Sequence, residues 1–296
     1  MNHAWDDGIE ISAIGSLADL AEWQAVEALV WSGAGSEILH TGLLITLQRY
    51  GGLLLSARDR SGKMVGVLLG FPGLKDGKVV HCSHLLGMLP EWRSKHVGYR
   101  MKLSQREFVL DQGLDLVVWT FDPLESRNAH LNMGHLGAVA YHYSPNLYGI
   151  MNDDFNHDME SDRFTASWHI RHPRVEARLA GARPAPLARD LLALGLPHLT
   201  RCEIVEADAP YVRLVDTTLG RDDAMMLVEV PSNFQAVKSL ADADARAWRY
   251  GIRSVFTDLF GRGYAVLDFA ADVRPGALTR CYYVICRLDS FQGEQA

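Results

Sequence analysis

Between Leu53 and Phe121 the hydrophobic pattern changes period twice, and this limits the fold more than any other feature of the chain. LLLSARDRSGKMVGVLLGF alternates around a polar turn at Arg60, Ser61 and Gly62, and a further strand runs from Val79 to Met88 after the turn FPGLKDGK. Period-two alternation buries one face of a strand, so three such segments in succession predict an antiparallel meander. From Gly98 to Gln112 the apolar residues recur at helical distance instead, Met101 with Phe108 and Leu103 with Leu110, and Gly113 supplies a stop. LDLVVWTF is then a continuous apolar run, the pattern of a strand covered on both faces. The expected class is α+β, with a mixed, mostly antiparallel sheet flanked by helices.

The flanking segments extend this reading. Ser16 begins a helix with Asp19 three residues on, a capping-box-like start, and Gly33 follows its end. A second helix covers Thr41 to Tyr50 and stops at Gly51-Gly52. Beyond LDLVVWTF, a helix from Ser126 to Leu136-Gly137 and a strand AVAYHY, paired with a segment around Tyr148 to Met151, complete a unit that closes near Trp168. The segment RHPRVEARLAGARPAPLARD is rich in Arg, Ala and Pro and marks a boundary, which predicts domains 1–168 and 169–296. The C-terminal part reads strand, strand, helix, strand, strand. Its helix, Ala241 to Gly261, carries Trp248, Ile252, Val255, Phe256, Leu259 and Phe260 on one stripe. The order matches residues 64–121, so the part is either a degenerate repeat or an unrelated α+β extension.

Composition narrows the function classes. Twenty-nine basic against thirty-six acidic residues, a net charge of −7, argue against a broad positive face for nucleic acid. There is no eighteen-residue apolar run and no charged-then-apolar leader, so no membrane partner is expected and the predicted location is the cytoplasm. Cys82, Cys202, Cys281 and Cys286 form no CxxC pair and read as reduced, unpaired thiols. Asp153, Asp154, His157 and Asp158 lie close together in NDDFNHDMESDR, but without the spacing of a calcium loop or a zinc motif, so no metal is expected.

The stretch PEWRSKHVGYRMKL joins the third strand of the meander to the helix after it. Amides at a helix start have no partner within the helix and point outward, with the positive end of the dipole behind them, so they bind phosphate without any particular side chain. Arg93, Lys95 and Arg100 add positive charge. The alternative is a solvated basic turn.

The meander, this loop with its helix, the strand LDLVVWTFD and the string WTFDPLESRNAHLNMGHLGA together resemble the GNAT superfamily of acyl-CoA N-acyltransferases, over roughly Ile9 to Trp168. The resemblance implies a GNAT-like fold followed by a C-terminal extension, and acetyl-CoA or another acyl-CoA as co-substrate. It implies cofactor contacts from Met88, Arg93, Ser94, Lys95, His96, Val97, Gly98, Tyr99 and Asn128. Arg93 and Gly98 fit the loop pattern of that superfamily, while His96 replaces its middle glycine.

Transfer of an acyl group to an amine needs a deprotonated amine, a polarised carbonyl and a proton for the leaving thiolate. In HCSHLLGM, strand alternation would put His81, Ser83 and Leu85 on one side and Cys82, His84 and Leu86 on the other. His84 is the candidate base, unless it only bonds a neighbouring segment. The family's acid tyrosine falls here on Met133; Tyr148 is the candidate replacement, ahead of Tyr141 and Tyr143. Asp122 either binds a substrate amine or caps the helix behind Pro123. Asn128 and Asn132 would share one helix face. The expected activity is N-acylation of a small-molecule amine such as an amino acid. The alternative is a degenerate, non-catalytic protein that holds CoA or another phosphorylated ligand. The apolar stripe of the C-terminal helix needs burial, either against the acceptor cleft or in a contact between two copies, a homodimer.

Overall fold

The computed structural model describes residues 8–31, 38–151, 158–206 and 209–292. Two compact units form, one spanning Met1–Trp119 and the other Thr120–Met151 with Asp158–Ala296. The compositional boundary at 168/169 therefore falls inside the second unit.

The first unit runs β1 (Glu10–Ala13), α1 (Leu17–Val30), α2 (Thr41–Arg49), β2 (Leu53–Arg58), β3 (Met64–Lys75), β4 (Lys78–Met88), α3 (Val97–Asp111) and β5 (Leu116–Phe121), the last leading into the second unit. The expected meander is present: β1, β2, β3 and β4 are antiparallel neighbours in that order. β5 joins parallel to β4 through His81–Val117 and Cys82–Val118. β1 escaped the sequence reading because four residues give too short a window for alternation. The Ser16 cap forms as expected, with the Asp19 amide donating to Ser16 Oγ at 3.1 Å. Gly33 lies outside the described residues.

Alternation in the meander separates two apolar layers. Leu54, Met64, Val67 and Leu69 pack with Leu20, Trp23, Val26 and Val30 of α1 and Leu44 of α2. Leu53, Leu55, Val65 and Leu68 face Val97 and Met101 of α3. Each such side chain withdrawn from water contributes about 1.5–3 kcal/mol. Trp23 is fully buried, and its indole N–H donates to Leu55 O at 3.1 Å.

The second unit contains α4 (Ser126–Ala129), β6 (Val139–Ser144), β7 (Arg163–His169), α5 (Pro173–Leu179), α6 (Ala188–Ala193), β8 (Thr200–Val205), β9 (Tyr211–Thr217), β10 (Met225–Val230), α7 (Phe234–Leu240), α8 (Asp242–Gly261), β11 (Tyr264–Asp272), β12 (Arg280–Arg287) and α9 (Leu288–Gln292). Its sheet has the order β7-β6-β11-β12-β10, and β8-β9 is a separate hairpin. β6 pairs with β7, not with the segment around Tyr148 to Met151, which is a turn followed by a single bridge from Ile150 to Glu160.

The continuous helix expected from Ser126 to Leu136 is α4 followed by a wider π turn, His130–His135. Side chains from residue 168 onward hold that turn open by donating to its carbonyls from the side. Arg178 Nη1 donates to Met133 O at 3.0 Å and Gly134 O at 2.5 Å, Arg174 Nη1 to Gly137 O at 2.9 Å, and the Trp168 indole to Leu136 O at 2.8 Å. Asp268 anchors both arginines. A carbonyl satisfied from outside no longer needs its helical partner, which permits the wider turn. These bonds are also why a boundary near 168 does not divide the chain.

The strand pairing around the helices differs between the two stretches whose order looked alike in the sequence. β4 and β5, the strands around α3, are parallel neighbours, whereas β12 separates the strands around α7 and α8, β10 and β11. What recurs is helix, strand, strand: α4-β6-β7 and α8-β11-β12, with the two hairpins adjacent through Ala140 and Val266. The α8 stripe residues Trp248, Ile252, Val255, Phe256 and Leu259 are fully buried within this unit, where Phe256 meets Phe164 edge-on at 4.6 Å. The burial argument for a contact between two copies therefore falls away.

Candidate functional site

In the first unit the link from β4 to α3 turns through two left-handed residues. Ser94 and His96 both hold left-handed backbone, φ 61° and 59°. Left-handed backbone is a conformation that glycine adopts more readily than other residues, so His96 holds it at a cost. No side chain caps α3, and its first turn carries no acid. The first turn's amides have no acceptor inside the helix, since the first helical bond runs from the Arg100 amide to His96 O at 3.1 Å. Of the nearby cations, Lys95 lies 4.7 Å over the Trp92 ring, Arg93 Nε donates to Met88 O at 3.3 Å, and Arg100 Nη2 donates to Ile9 O at 2.8 Å. Ser94, Lys95 and His96 are exposed, Gly98 and Tyr99 half-buried, and Val97 is turned into the α3 core.

A left-handed His costs about 1–2 kcal/mol, against roughly 0.5–1 kcal/mol of extra chain entropy for glycine. His96→Gly is therefore expected to raise stability by up to about 1 kcal/mol, read as a higher urea midpoint.

β4 does not alternate throughout. Gly70 pairs with Ser83 and Leu69 with Leu85, so His84 is an extra residue, a bulge. The bulge reverses the expected sides of the next two residues. Leu85 packs with the α1 and α2 layer, while Leu86 and Met88 pack with α3. His84 is exposed, with its ring 6.0 Å from that of Phe71. The protein around it holds its pKa below the usual histidine value, which favours the neutral, proton-accepting ring.

Behind the bulge lies a buried polar cluster that the sequence reading missed. Lys102 Nζ donates to Ser83 Oγ at 2.7 Å and to Gln105 Oε1 at 3.1 Å, and Ser83 Oγ donates to the same oxygen at 3.1 Å. Gln105 Nε2 lies 3.0 Å from His81 Nε2; an amide nitrogen can only donate, so the ring proton sits on Nδ1, which is buried without a partner. Burial lowers the pKa of His81 to about 4 and that of Lys102 to about 7. Gly70 makes room, because a Cβ there would stand 2.2 Å from His81 Nε2. A signal existed in the sequence: Gln105 continues the four-residue series Val97, Met101, Val109 on the buried face of α3.

The remaining sequence candidates belong to the second unit. Both Asp122 oxygens are engaged, Oδ1 by Arg249 Nη1 at 2.9 Å and the Leu124 amide at 2.9 Å, Oδ2 by Arg249 Nη2 at 2.5 Å. That is a structural ion pair with a cap behind Pro123, so the reading as a receptor for a substrate amine loses its acceptor oxygens. Tyr148 is exposed on the turn after β6, with its hydroxyl 2.9 Å from Thr120 Oγ1 and the Arg163 guanidinium 5.6 Å from its ring. Tyr143 donates to Asp162 at 2.7 Å, and burial beside that carboxylate raises its pKa, so its proton is held. Asn128 is exposed and Asn132 buried, since the π turn breaks the face they were expected to share. Met133, in the place of the family's tyrosine, is fully buried.

Among the described residues no group of histidine, cysteine and acid side chains is arranged to hold a metal. Of the acidic stretch, Asp153, Asp154 and His157 lie outside the described residues. No helix among the described residues is long and apolar enough to cross a membrane, and all four thiols are free.

No family model matches the chain, and no curated protein does. Solved structures do. The chain is 12% identical to a chain of the NatC complex bound to Gag peptide and CoA, covering 54% of this chain and 98% of that one with a TM-score of 0.44. It is 13% identical to the ribosomal-protein-S18-alanine N-acetyltransferase from Escherichia coli, covering 54% and 92% with a TM-score of 0.43. It is 15% identical to yncA, a putative acetyltransferase from Salmonella typhimurium with its cofactor acetyl-CoA, covering 56% and 96% with a TM-score of 0.44.

Proposed function

We propose that the protein is an acyl-CoA-dependent N-acyltransferase acting on a small-molecule amine. The observation that carries this reading is the start of α3, where the N-cap residue His96 makes no side-chain cap bond, no acid stands in the first turn, and the loop before it holds Ser94 and His96 in left-handed backbone. Amides between Ser94 and Tyr99 would hold the pyrophosphate of acetyl-CoA or another acyl-CoA, with Arg93 and Lys95 supplying charge. Met88 and Asn128 are proposed cofactor contacts. His84, exposed and biased to its neutral form, accepts the proton of the attacking amine. The amine nitrogen bonds to the thioester carbon, the C–S bond breaks, and the thiolate takes up a proton from solvent.

Met133 favours a second reading, a protein that holds CoA without transferring from it, because a buried thioether cannot replace an acid. Calorimetry with CoA, together with thiol release from acetyl-CoA over a panel of amines, separates the two. Binding with amine-dependent release supports the transferase, binding alone supports the second reading, and no binding removes both.

Gly98→Ala sharpens the test. A Cβ at this position would meet only Leu86 Cδ2, at an ordinary 3.6 Å, so the fold has room for it. The variant is expected to keep its melting temperature and to bind CoA at least about tenfold more weakly, because the methyl group stands where the pyrophosphate approaches the amides.

A further inference from the structure

The parallel pairing of β4 with β5 consists of His81–Val117 and Cys82–Val118. The next residues are Ser83 on β4 and Trp119 on β5. Lys102 touches both: Nζ donates to Ser83 Oγ at 2.7 Å and lies 3.7 Å from the centre of the Trp119 ring. Its stem comes from α3, six residues into the helix whose start forms the anion loop. An ammonium has three protons; two serve Ser83 and Gln105, and the ring face takes the positive charge on the remaining side.

We propose that Lys102 is a positioning residue: it pins the point where β4 and β5 part and so sets the opening that admits the thioester arm of the cofactor. The inference rests on the reading of the first unit as an acyl-CoA site.

Three features support a pin over an incidental buried lysine. Lysine is rarely buried without a partner charge, and here it is 2% exposed with neutral partners only. Its contacts fall on the first residue past the last pair of each strand, not along the strands. Ser83 immediately precedes the bulge at His84, so holding Ser83 also fixes the bulge. The groups that face Lys102 are Ser83 and His81 from β4, Trp119 from β5 and Gln105 from its own helix; of these only His81 titrates, and its low pKa keeps it neutral above pH 5. A change in the opening near neutral pH would then report Lys102 itself.

The test uses the full chain as wild type, Lys102→Met and Ser83→Ala, with CoA as ligand. Calorimetry from pH 6 to 8.5 is expected to give at least tenfold weaker binding for Lys102→Met, and a pH dependence with a midpoint near 7 that the wild type shows and Lys102→Met lacks. Ser83→Ala, which removes one hydroxyl and tests the idea should the first variant fail to fold, is expected to weaken binding several-fold. Equal affinities and equal pH profiles in the variants and the wild type would overturn the pin. Should the wild type bind no CoA, the acyl-CoA reading falls, and hydrogen exchange then judges the pin alone. Faster exchange of the Ser83–Gly87 amides in the variants supports it, and unchanged exchange sinks it.

Discussion

Replacing Asp122 by alanine is expected to lower the free energy of unfolding by about 3–5 kcal/mol. Asp122 and Arg249 form a bidentate pair whose side chains are 10% and 3% exposed, and Arg163 stands 3.7 Å from the same carboxylate. Opposite charge at this distance holds the guanidinium in its charged form in spite of burial. Without Asp122 the guanidinium loses the carboxylate that is hydrogen-bonded to it and keeps only the weaker charge interactions with Asp162 and Glu125, and Arg249 Nε is already without a partner. For a unit of this size about 1 kcal/mol moves the melting temperature by roughly 2–4 °C, so a fall of about 10 °C is expected in a thermal melt. The double variant Asp122→Leu with Arg249→Met should recover most of the loss, because apolar side chains of similar volume carry no desolvation cost. A single variant that melts within about 2 °C of the wild type would show that water reaches the pair.

Stability is expected to rise with pH between 7 and 10.5 at a single residue, Lys102. Burial depresses its folded pKa to about 7 from the ordinary lysine value of 10.5. Below pH 7 both folded and unfolded states hold the proton, and the folded state bears the full cost of a buried ammonium. Between the two values the unfolded chain binds more protons than the folded one, so each unit of pH adds up to about 1.4 kcal/mol to stability. Above 10.5 neither state is charged there and the gain is complete. Urea unfolding at pH 7 and pH 9 checks this. The wild type should gain up to about 2.7 kcal/mol more than Lys102→Met over that interval, and equal gains would mean that Lys102 keeps its proton in the fold. His81 acts at the other end. Its folded pKa of about 4 means that stability is lost as pH falls from 6.5 toward 4, where the unfolded chain takes up a proton that the folded one refuses.

Much of the fold was legible in the residues. The meander, α1 with its Ser16 cap, α3, α8 and the strand class of β5 follow from local periodicity, which is a property of neighbours in the chain. So was the helix start after the meander, whose first amides have no acceptor inside the helix whatever the fold around them. Three features were not legible, each for a reason of distance. The bulge at His84 depends on how β4 is laid against β3, and one inserted residue reverses every side-chain assignment after it. The π turn depends on Arg174, Arg178 and Trp168, more than thirty residues from the carbonyls they hold. The Lys102 cluster needs Ser83 and Gln105 brought together from β4 and α3, although Gln105 on the buried line of α3 was a sign of it.

Sequence alone therefore determined the meander, the main helices and the buried stripe of α8, and that a helix start with basic residues follows the meander. Those properties arise from steric and hydrophobic preferences acting over a few residues. Only the tertiary structure decided that His84 stands out from its strand, that Asp122 is spent on Arg249, and that a lysine is enclosed where β4 and β5 part. Such outcomes depend on which distant side chains meet in a low-dielectric interior, where every polar group must find its partner.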